Sequence, residues 1–271
     1  MKLILLLTTL LASGLFATPI VYNNNAWYNN GLTDPNLIGR PENFMIQSVS
    51  LDAKKTGGVL NGQFEAVLKF NFGNNSLAQY NINPDVLISA SDLFFAQSGS
   101  IQYGIPLLNH GGATYTFNGR TTGVGNYAVD SGDLYKVGTG GIGLLRATDL
   151  QPLVNPLNPA NYGVNRFVWL TDATSSTAAV APGTAAIVYR GSDCTAALCS
   201  PAEFTVTISI TQGVSGEWGS FLASVANGAI TPYYTGSTCG NDLLTGVPEP
   251  STYVLMSGGL LLMGLRLRRK K

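Results

Sequence analysis

The sequence predicts an all-β protein whose exported body is an antiparallel β-sandwich. Residues 63–72 alternate apolar and polar side chains, and residues 203–211 alternate apolar side chains with Thr and Ser. Such alternation is typical of strands with one face in a core and the other in water. Other short apolar segments follow, separated by Gly, Asn and Pro, which is the spacing of a sandwich.

The first 17 residues are typical of a secretory signal peptide. Lys2 precedes an apolar run, and the small Ala17 offers a cleavage point before Thr18. The alternative is a transmembrane anchor, which the short run and the lack of flanking charge disfavour. We therefore expect a signal peptide at 1–17 and an exported body at 18–246, which we interpret as one domain rather than two small packed ones.

The first predicted hairpin depends on a turn dipeptide. Asn61-Gly62 is a preferred pair for a two-residue type I′ turn. We expect it to pair Val59-Leu60, and beyond them residues 45–51, with the strand at 63–72.

Further elements follow from short apolar runs and from proline. A short helix is predicted at 221–226, and the proline-rich residues 150–162 form a long loop. Further strands are predicted at 86–88, 93–95, 101–105, 114–117, 134–137, 166–170 and 185–189.

The charge of the body argues against nucleic acid as a partner. The whole chain is formally neutral, but residues 18–247 hold nine Lys and Arg against fourteen Asp and Glu, which leaves −5. Nucleic-acid binding needs a basic stripe, and none is present.

The three cysteines divide into a pair and a single residue. Cys194 and Cys199 lie in one loop, and in an oxidising compartment we predict a disulfide between them. Cys239 is odd by count and is either buried and inert or an intermolecular partner. These spacings do not match a structural zinc site.

Enzyme motifs are weak in this sequence, and we predict that the body is not an enzyme and needs no cofactor or metal. His110 is the only histidine, and no G-x-S-x-G nucleophile elbow accompanies it. Residues 138–143 fit G-x-G-x-x-G but lack the βαβ context of a nucleotide site, so a glycine turn is the better interpretation.

Paired acids keep a secreted glycan hydrolase open as one alternative. Asp130 and Asp133 are close in sequence, as are Asp85 and Asp92, and glycosidases use two carboxylates. Solvated surface acids are the simpler interpretation.

Aromatic residues flanked by amides or other aromatics give a second alternative, a carbohydrate-binding module for extracellular polysaccharide. Trp27, Tyr28 and Tyr234 could stack on sugar rings while neighbouring side chains donate hydrogen bonds. The same residues are also ordinary members of a sandwich core or edge.

Residues 247–271 have three parts in a fixed order. Pro248 and Pro250 fix φ and remove two backbone donors, so the Pro-Glu-Pro triplet is extended. The apolar residues 253–265 would span only about 20 Å as a helix, short of the ~30 Å hydrocarbon core. The terminal cations stay cytoplasmic by the positive-inside rule, which leaves the body outside. We therefore predict a marginal anchor helix preceded by a cleavable hinge, in preference to a core helix with a basic end.

This tail resembles the PEP-CTERM sorting signal of exported Gram-negative proteins. The resemblance implies recognition by an exosortase, an integral-membrane cysteine transpeptidase, with cleavage near the motif. It also implies a host that makes extracellular polysaccharide. The residues that carry the motif are Val247, Pro248, Glu249, Pro250 and Ser251, and the basic cluster is Arg266, Arg268, Arg269, Lys270 and Lys271.

We therefore expect an exported surface or matrix-associated protein. It would pass the secretion translocon, be transiently anchored in the inner membrane and end at the cell surface or in the extracellular matrix. Because the same tail ends many unrelated bodies, it does not identify what the body does. A structural or adhesive body is our first interpretation, and the two glycan alternatives remain open.

Overall fold

The computed structural model shows a body built almost entirely of antiparallel strands, which confirms the all-β, antiparallel part of the prediction. Within the described residues one helix accompanies the strands. The structure describes residues 19–23, 46–72, 80–83, 86–88, 91–111, 115–117, 120–122, 128–138, 142–146, 167–171, 179–190, 202–235 and 243–245.

The elements are numbered in chain order. The helix is α1 (Gly216–Ala226), which follows the sixteenth strand. The strands are β1 (Ile20–Asn23), β2 (Ile46–Thr56), β3 (Val59–Phe72), β4 (Tyr80–Asn83), β5 (Val86–Ile88), β6 (Leu93–Gln97), β7 (Ser100–Ile105), β8 (His110–Gly111), β9 (Tyr115–Phe117), β10 (Arg120–Thr122), β11 (Ala128–Val129), β12 (Tyr135–Lys136), β13 (Gly143–Arg146), β14 (Phe167–Thr171), β15 (Gly183–Arg190), β16 (Ala202–Thr211), β17 (Ile230–Thr235) and β18 (Leu243–Thr245).

Two five-stranded sheets account for most of the described strands. Sheet I has the order β1-β2-β3-β16-β15, and sheet II has the order β12-β7-β6-β17-β18. Both sheets contribute to one hydrophobic core, with Leu68 and Val206 from sheet I and Phe95 and Ile105 from sheet II all fully buried. The other described strands form two-stranded pairs.

The alternation predicted for the two long strands of sheet I is confirmed. Along β3 and β16 every second side chain is buried, and the strands pair antiparallel without a bulge. The pairing sets Phe204 opposite Phe70, and their rings stack with centroids 5.7 Å apart. Because side chains alternate between the two faces of a strand, this register keeps the buried apolar side chains on one face.

The hairpin between β2 and β3 exists, but the predicted position of its turn is wrong. The turn is Gly57-Gly58, where both residues have positive φ (59° and 84°), as a type I′ turn requires. Asn61-Gly62 lies inside β3, where the register with β2 shifts. Gly62 has φ +85°, and a Cβ there would lie 2.1 Å from the carbonyl oxygen of Gln212. A long-range backbone approach therefore demands glycine at a position that resembles a turn in the sequence.

Helix α1 begins five residues before the predicted start at 221. Its buried side chains recur at the helical spacing i, i+3, i+4 and i+7. The Phe221 ring makes edge-to-face contacts with Phe64 of sheet I and with Phe95 of sheet II, at centroid distances of 5.2 and 5.3 Å. The helix thereby packs its apolar stripe into the shared core. The buried residues are Trp218, Phe221, Leu222 and Val225.

Sheet II is covered on both faces. A second apolar cluster, which includes Phe94, Tyr135, Ile142 and Leu170, lies on the side away from the shared core. Leu93, Phe94 and Phe95 of β6 are consequently all fully buried in succession. A strand buried on both faces has a continuous apolar run in place of alternation.

Several predictions fall on residues outside the described part of the chain and stay predictions. They concern the signal peptide, the loop at 150–162, the disulfide between Cys194 and Cys199, the state of Cys239 and the anchor helix at 253–265. In the part of the chain that the structure describes, no helix combines the length and apolar character needed to cross a membrane.

Candidate functional site

The described fold extends almost to the start of the tail. Strand β18 pairs antiparallel with β17 in sheet II, and Leu244 at its centre is 1% exposed. Val247 is the second residue after Thr245, where β18 ends. The junction between body and tail, which we define as Leu243 to Val247, therefore begins in the edge strand of sheet II.

The junction is short. A chain extends at most ~3.3–3.6 Å per residue, so the three steps from Thr245 to Pro248 cover about 10 Å at most. An enzyme that acts on the Pro-Glu-Pro triplet must therefore work close to the edge of sheet II or release β18 from it.

Tyr234 of β17 supports the β18 edge of sheet II from the core side. It pairs with Leu244 across the β17–β18 ladder, and its ring lies 5.5 Å from the ring of Phe70 in sheet I. The side chain is 2% exposed, and burial raises its pKa. Tyr234 therefore connects the strand that precedes the tail with the core shared by both sheets.

This position corrects one predicted binding residue. A buried ring presents no face to a sugar, so Tyr234 does not form the expected stacking surface. Along β17 the buried residues Ile230, Pro232 and Tyr234 alternate with less buried residues. The aromatic pair at 233–234 does not by itself indicate which of the two rings faces the core. The carbohydrate-binding alternative now depends on Trp27 and Tyr28, which lie outside the described residues.

The tail residues themselves also lie outside the described residues. The structure therefore locates the end of β18, from which the chain continues to the motif, and the predictions for the tail remain predictions. These residues are Val247, Pro248, Glu249, Pro250 and Ser251 of the motif and Arg266, Arg268, Arg269, Lys270 and Lys271 of the basic cluster.

Two of the acids singled out in the sequence bind backbone N–H groups. Asp92 is 1% exposed, and its Oδ2 accepts a hydrogen bond of 2.7 Å from the N–H of Leu170 in β14. Asp133 Oδ1 accepts one of 2.8 Å from the N–H of Gly183 at the start of β15. Burial raises the pKa of Asp133, and the bond from Gly183 opposes that rise. These two carboxylates connect strands that are distant in sequence.

The remaining acids of the two predicted pairs have different surroundings. Asp130 is exposed, and its backbone N–H donates to the Tyr135 hydroxyl at 3.0 Å. Burial, and then the charges of nearby acids, raise the pKa of Tyr135. Asp85 lies outside the described residues. A pair of carboxylates close in sequence thus becomes one partly buried acid, Asp133, that binds a backbone N–H group and one exposed acid, Asp130.

A polar cluster connects α1 with sheet II. Glu217, in the first turn of α1, accepts hydrogen bonds through Oε1 from Tyr103 at 2.7 Å and Lys136 at 2.9 Å. The bond from Lys136, followed by that from Tyr103, lowers the pKa of Glu217. Burial raises the pKa of the Tyr103 phenol. A carboxylate at a helix N-terminus is also favoured by the helix dipole.

A second charged cluster lies on the outer face of sheet I. Lys54 Nζ is 2.6 Å from Asp52 Oδ2 and 3.5 Å from Glu65 Oε1. The bond to Asp52 raises the pKa of Lys54. Because the lysine lies between the carboxylates, they are already neutralised in part. Within the described ranges, no three or more His, Cys, Asp and Glu side chains are grouped to hold a metal ion.

Most of the other outward side chains of that face carry hydroxyl or aliphatic groups, and the exposed Lys69 of β3, opposite Thr205, places a cation among them. Register places Ala186, Thr207, Val67, Ser50 and Val21 in one row across all five strands. Each is half-buried or exposed. Hydroxyl and methyl groups thus cover the centre of the face, which suits contact with an extended neutral surface. Beside the row, the outward residues of β15 and β16 are Thr184, Val188, Thr205, Ser209 and Thr211.

Comparison with known proteins identifies the tail. Residues 246–270 match the PEP-CTERM protein-sorting motif, which confirms the predicted resemblance. The motif indicates export and sorting at the membrane by an exosortase towards the cell surface. No curated protein and no solved structure matches the chain. The match begins at the residue that follows Thr245, so the sorting segment starts directly where the described fold ends.

Proposed function

We propose that this chain is a surface or matrix protein whose folded body is released from a temporary membrane anchor by an exosortase. The signal peptide at 1–17 directs it through the secretion translocon of a Gram-negative cell. The apolar residues 253–265 then hold it in the inner membrane, with the basic cluster on the cytoplasmic side. Cleavage near Pro248-Glu249-Pro250 frees the body for the cell surface or the polysaccharide matrix.

One observation carries this proposal: the matched segment begins at the residue after β18. Cleavage at the triplet removes no described element of the body. The buried Leu244 and Tyr234 retain their contacts after such a cut, because both precede it. The chain therefore divides into a folded body and a sorting segment that can be removed without loss of a described element.

For the body we propose a β-sandwich of sheets I and II with a structural or adhesive role. The hydroxyl-rich outer face of sheet I supports adhesion, since its central row from Ala186 to Val21 can contact a neutral polymer without desolvating a charge. Asp92 and Asp133 support a structural role, because their carboxylates accept hydrogen bonds from backbone N–H groups. The disulfide between Cys194 and Cys199 would constrain the connection from β15 to β16 in the oxidising exterior.

The sorting step is tested by replacing Pro248, Glu249 and Pro250 together with Ala in a host that has an exosortase. The variant is expected to keep its tail and stay in the inner-membrane fraction, while the unmodified chain is shortened and leaves it. Immunoblots of fractionated cells report both properties. Pro156→Ala and Pro159→Ala, in the proline-rich sequence at 150–162, form the matched control and should be processed normally.

A folding defect is separated from a sorting defect by the melting temperature of the purified full chain. The triple variant should have the same melting temperature as the unmodified protein, since the replaced residues lie beyond the last described strand. Unchanged processing and location in the triple variant would show that the Pro-Glu-Pro triplet is not needed for sorting.

A further inference from the structure

Strand β15 forms one edge of sheet I and is open along its centre. In the described part of the chain it pairs with β16 alone, over eight residues and without a bulge. It holds no charge and no proline from Gly183 to Tyr189. Proteins usually protect a sheet edge with charges, proline or bulges, because its unpaired N–H and C=O groups accept another strand. Those protections are absent from Gly183 to Tyr189, and the charge of Arg190 comes only at the end of the strand.

The core is incomplete at the same place. Ile187 points to the core side of sheet I yet is 43% exposed, whereas Val206, directly opposite it on β16, is fully buried. Val188, on the outer face, is 51% exposed. The centre of β15 therefore exposes apolar side chains on both faces of the sheet. The other edge strand differs, because β1 is short and its Tyr22 is fully buried.

We propose that β15 pairs antiparallel with β15 of a second copy of this chain, with Ile187 of each copy opposite the other. A two-fold axis perpendicular to the sheet keeps each face on its own side, so residues of like face meet. Centring the axis on Ile187 sets Val188 opposite Ala186 and Ala185 opposite Tyr189. Both exposed apolar side chains then gain an apolar partner.

Self-complementarity favours a second copy over an unrelated strand. A partner for this edge must be uncharged and must alternate in the same register, and β15 itself meets both conditions. No like charges meet in the pairing, since Arg190 falls opposite Thr184 at its ends. Gly132 lies against the backbone of Thr184, so the ladder is limited to Ala185–Tyr189. A ladder this short gives a weak association that depends on protein concentration.

Cysteine cross-linking tests the register in the exported full chain, extracted in mild detergent. In antiparallel pairs, Cβ atoms of opposed residues lie roughly 4.5–5.5 Å apart, within reach of a disulfide after small adjustment. Ile187→Cys should therefore form a disulfide-linked dimer on mild oxidation. The exposed Ala186→Cys is the matched control, because its opposite residue is Val188 and not itself.

The unmodified chain, oxidised in parallel, gives the background from Cys194, Cys199 and Cys239. A non-reducing gel should show several-fold more dimer for Ile187→Cys than for Ala186→Cys or the unmodified chain. Equal dimer in all three would overturn the proposal.

A charge at the edge tests the association without cross-linking. Ile187→Lys should fold, because the site is already half open to water, but self-pairing would oppose two ammonium groups. Sedimentation should show the unmodified chain dissociating on dilution and the variant monomeric throughout. Val59→Lys, at a position 70% exposed beside the β2–β3 turn, is the control and should behave like the unmodified chain.

Two outcomes of this second experiment would contradict the proposal. One is an unmodified chain that stays monomeric at every concentration, as expected if another segment of the same chain covers β15. The other is equal dissociation by Ile187→Lys and Val59→Lys, which would place the contact elsewhere, for instance at the tail.

Discussion

Sheets I and II differ in how many of their faces are buried. Sheet I has one face in the core and the other in water, so β3 and β16 alternate. Sheet II has apolar clusters on both faces, so Leu93, Phe94 and Phe95 are all fully buried in succession. The two sheets therefore differ in what covers them. In sheet I the register of the strands directs the apolar side chains to the one covered face, whereas in sheet II other elements pack apolar side chains against both faces.

This difference also separates two roles. Sheet I presents its hydroxyl-rich outer face and the open strand β15 to the outside. Sheet II is enclosed and holds β18, from which the sorting segment starts. The enclosed sheet thus anchors the tail, while the exposed sheet is the surface available for contact.

The largest effect on stability is expected where the two sheets meet, at Phe221. Phe221→Ala removes edge-to-face contacts to both sheets at once and leaves a cavity, which should cost about 3–5 kcal/mol of unfolding free energy. Urea unfolding measures the loss. Val214→Ala, at an exposed position, should change little. A loss for Phe221→Ala as small as that of the control would mean that the helix does not complete the core.

The next effect concerns the contact between β14 and Asp92, the residue directly before β6 of sheet II. Asp92→Ala leaves the buried N–H of Leu170 without the carboxylate that accepts its hydrogen bond at 2.7 Å, which should cost about 1–3 kcal/mol. Asp130→Ala is the matched control, because that side chain is exposed and the change should stay within about 0.5 kcal/mol. If both variants lose the same stability in urea, Asp92 does not fasten β14 to sheet II.

Another effect is expected in sheet I, at the glycine predicted to form the turn. Gly62→Ala adds left-handed strain of roughly 1–2 kcal/mol, and its Cβ would clash with the carbonyl oxygen of Gln212 at 2.1 Å, so the backbone must also shift. Gly57→Ala carries comparable strain but meets no atom within 4 Å. Thermal melting should therefore rank Gly62→Ala below Gly57→Ala. The reverse order would place the close backbone approach at the hairpin turn.

The smallest effect is a pH dependence at the helix–sheet II contact. Glu217 has a lowered pKa, so its stabilising contribution is present above its ordinary value of 4.5 and is lost as pH falls through the folded pKa. Solvent screening keeps the contribution small, since the carboxylate is 40% exposed. Glu217→Gln and Lys136→Gln should both flatten the acid side of a melting-temperature profile. An unchanged slope in both variants would remove this contact from the acid response.

The sorting tail could be predicted from the sequence because its function depends on a local order of residue types. A triplet that cannot be helical, an apolar run and a cationic end are recognisable without knowledge of what surrounds them. The position of Tyr234 could be predicted less well. Its neighbours suggest an exposed aromatic pair, and only the Phe70 ring from another sheet shows why it is enclosed.

The sequence by itself determined the alternating strands of sheet I, because each strand specifies its two faces through residues i and i+2. Only the tertiary structure decided which glycine pair makes the turn, which acids are buried and where the helix begins. Those outcomes depend on contacts between residues far apart in the chain, such as Gly62 with Gln212 and Asp92 with Leu170. A local sequence pattern shows which conformations a residue can adopt. Which of them it adopts in the fold is decided by a contact with a residue far away in the chain.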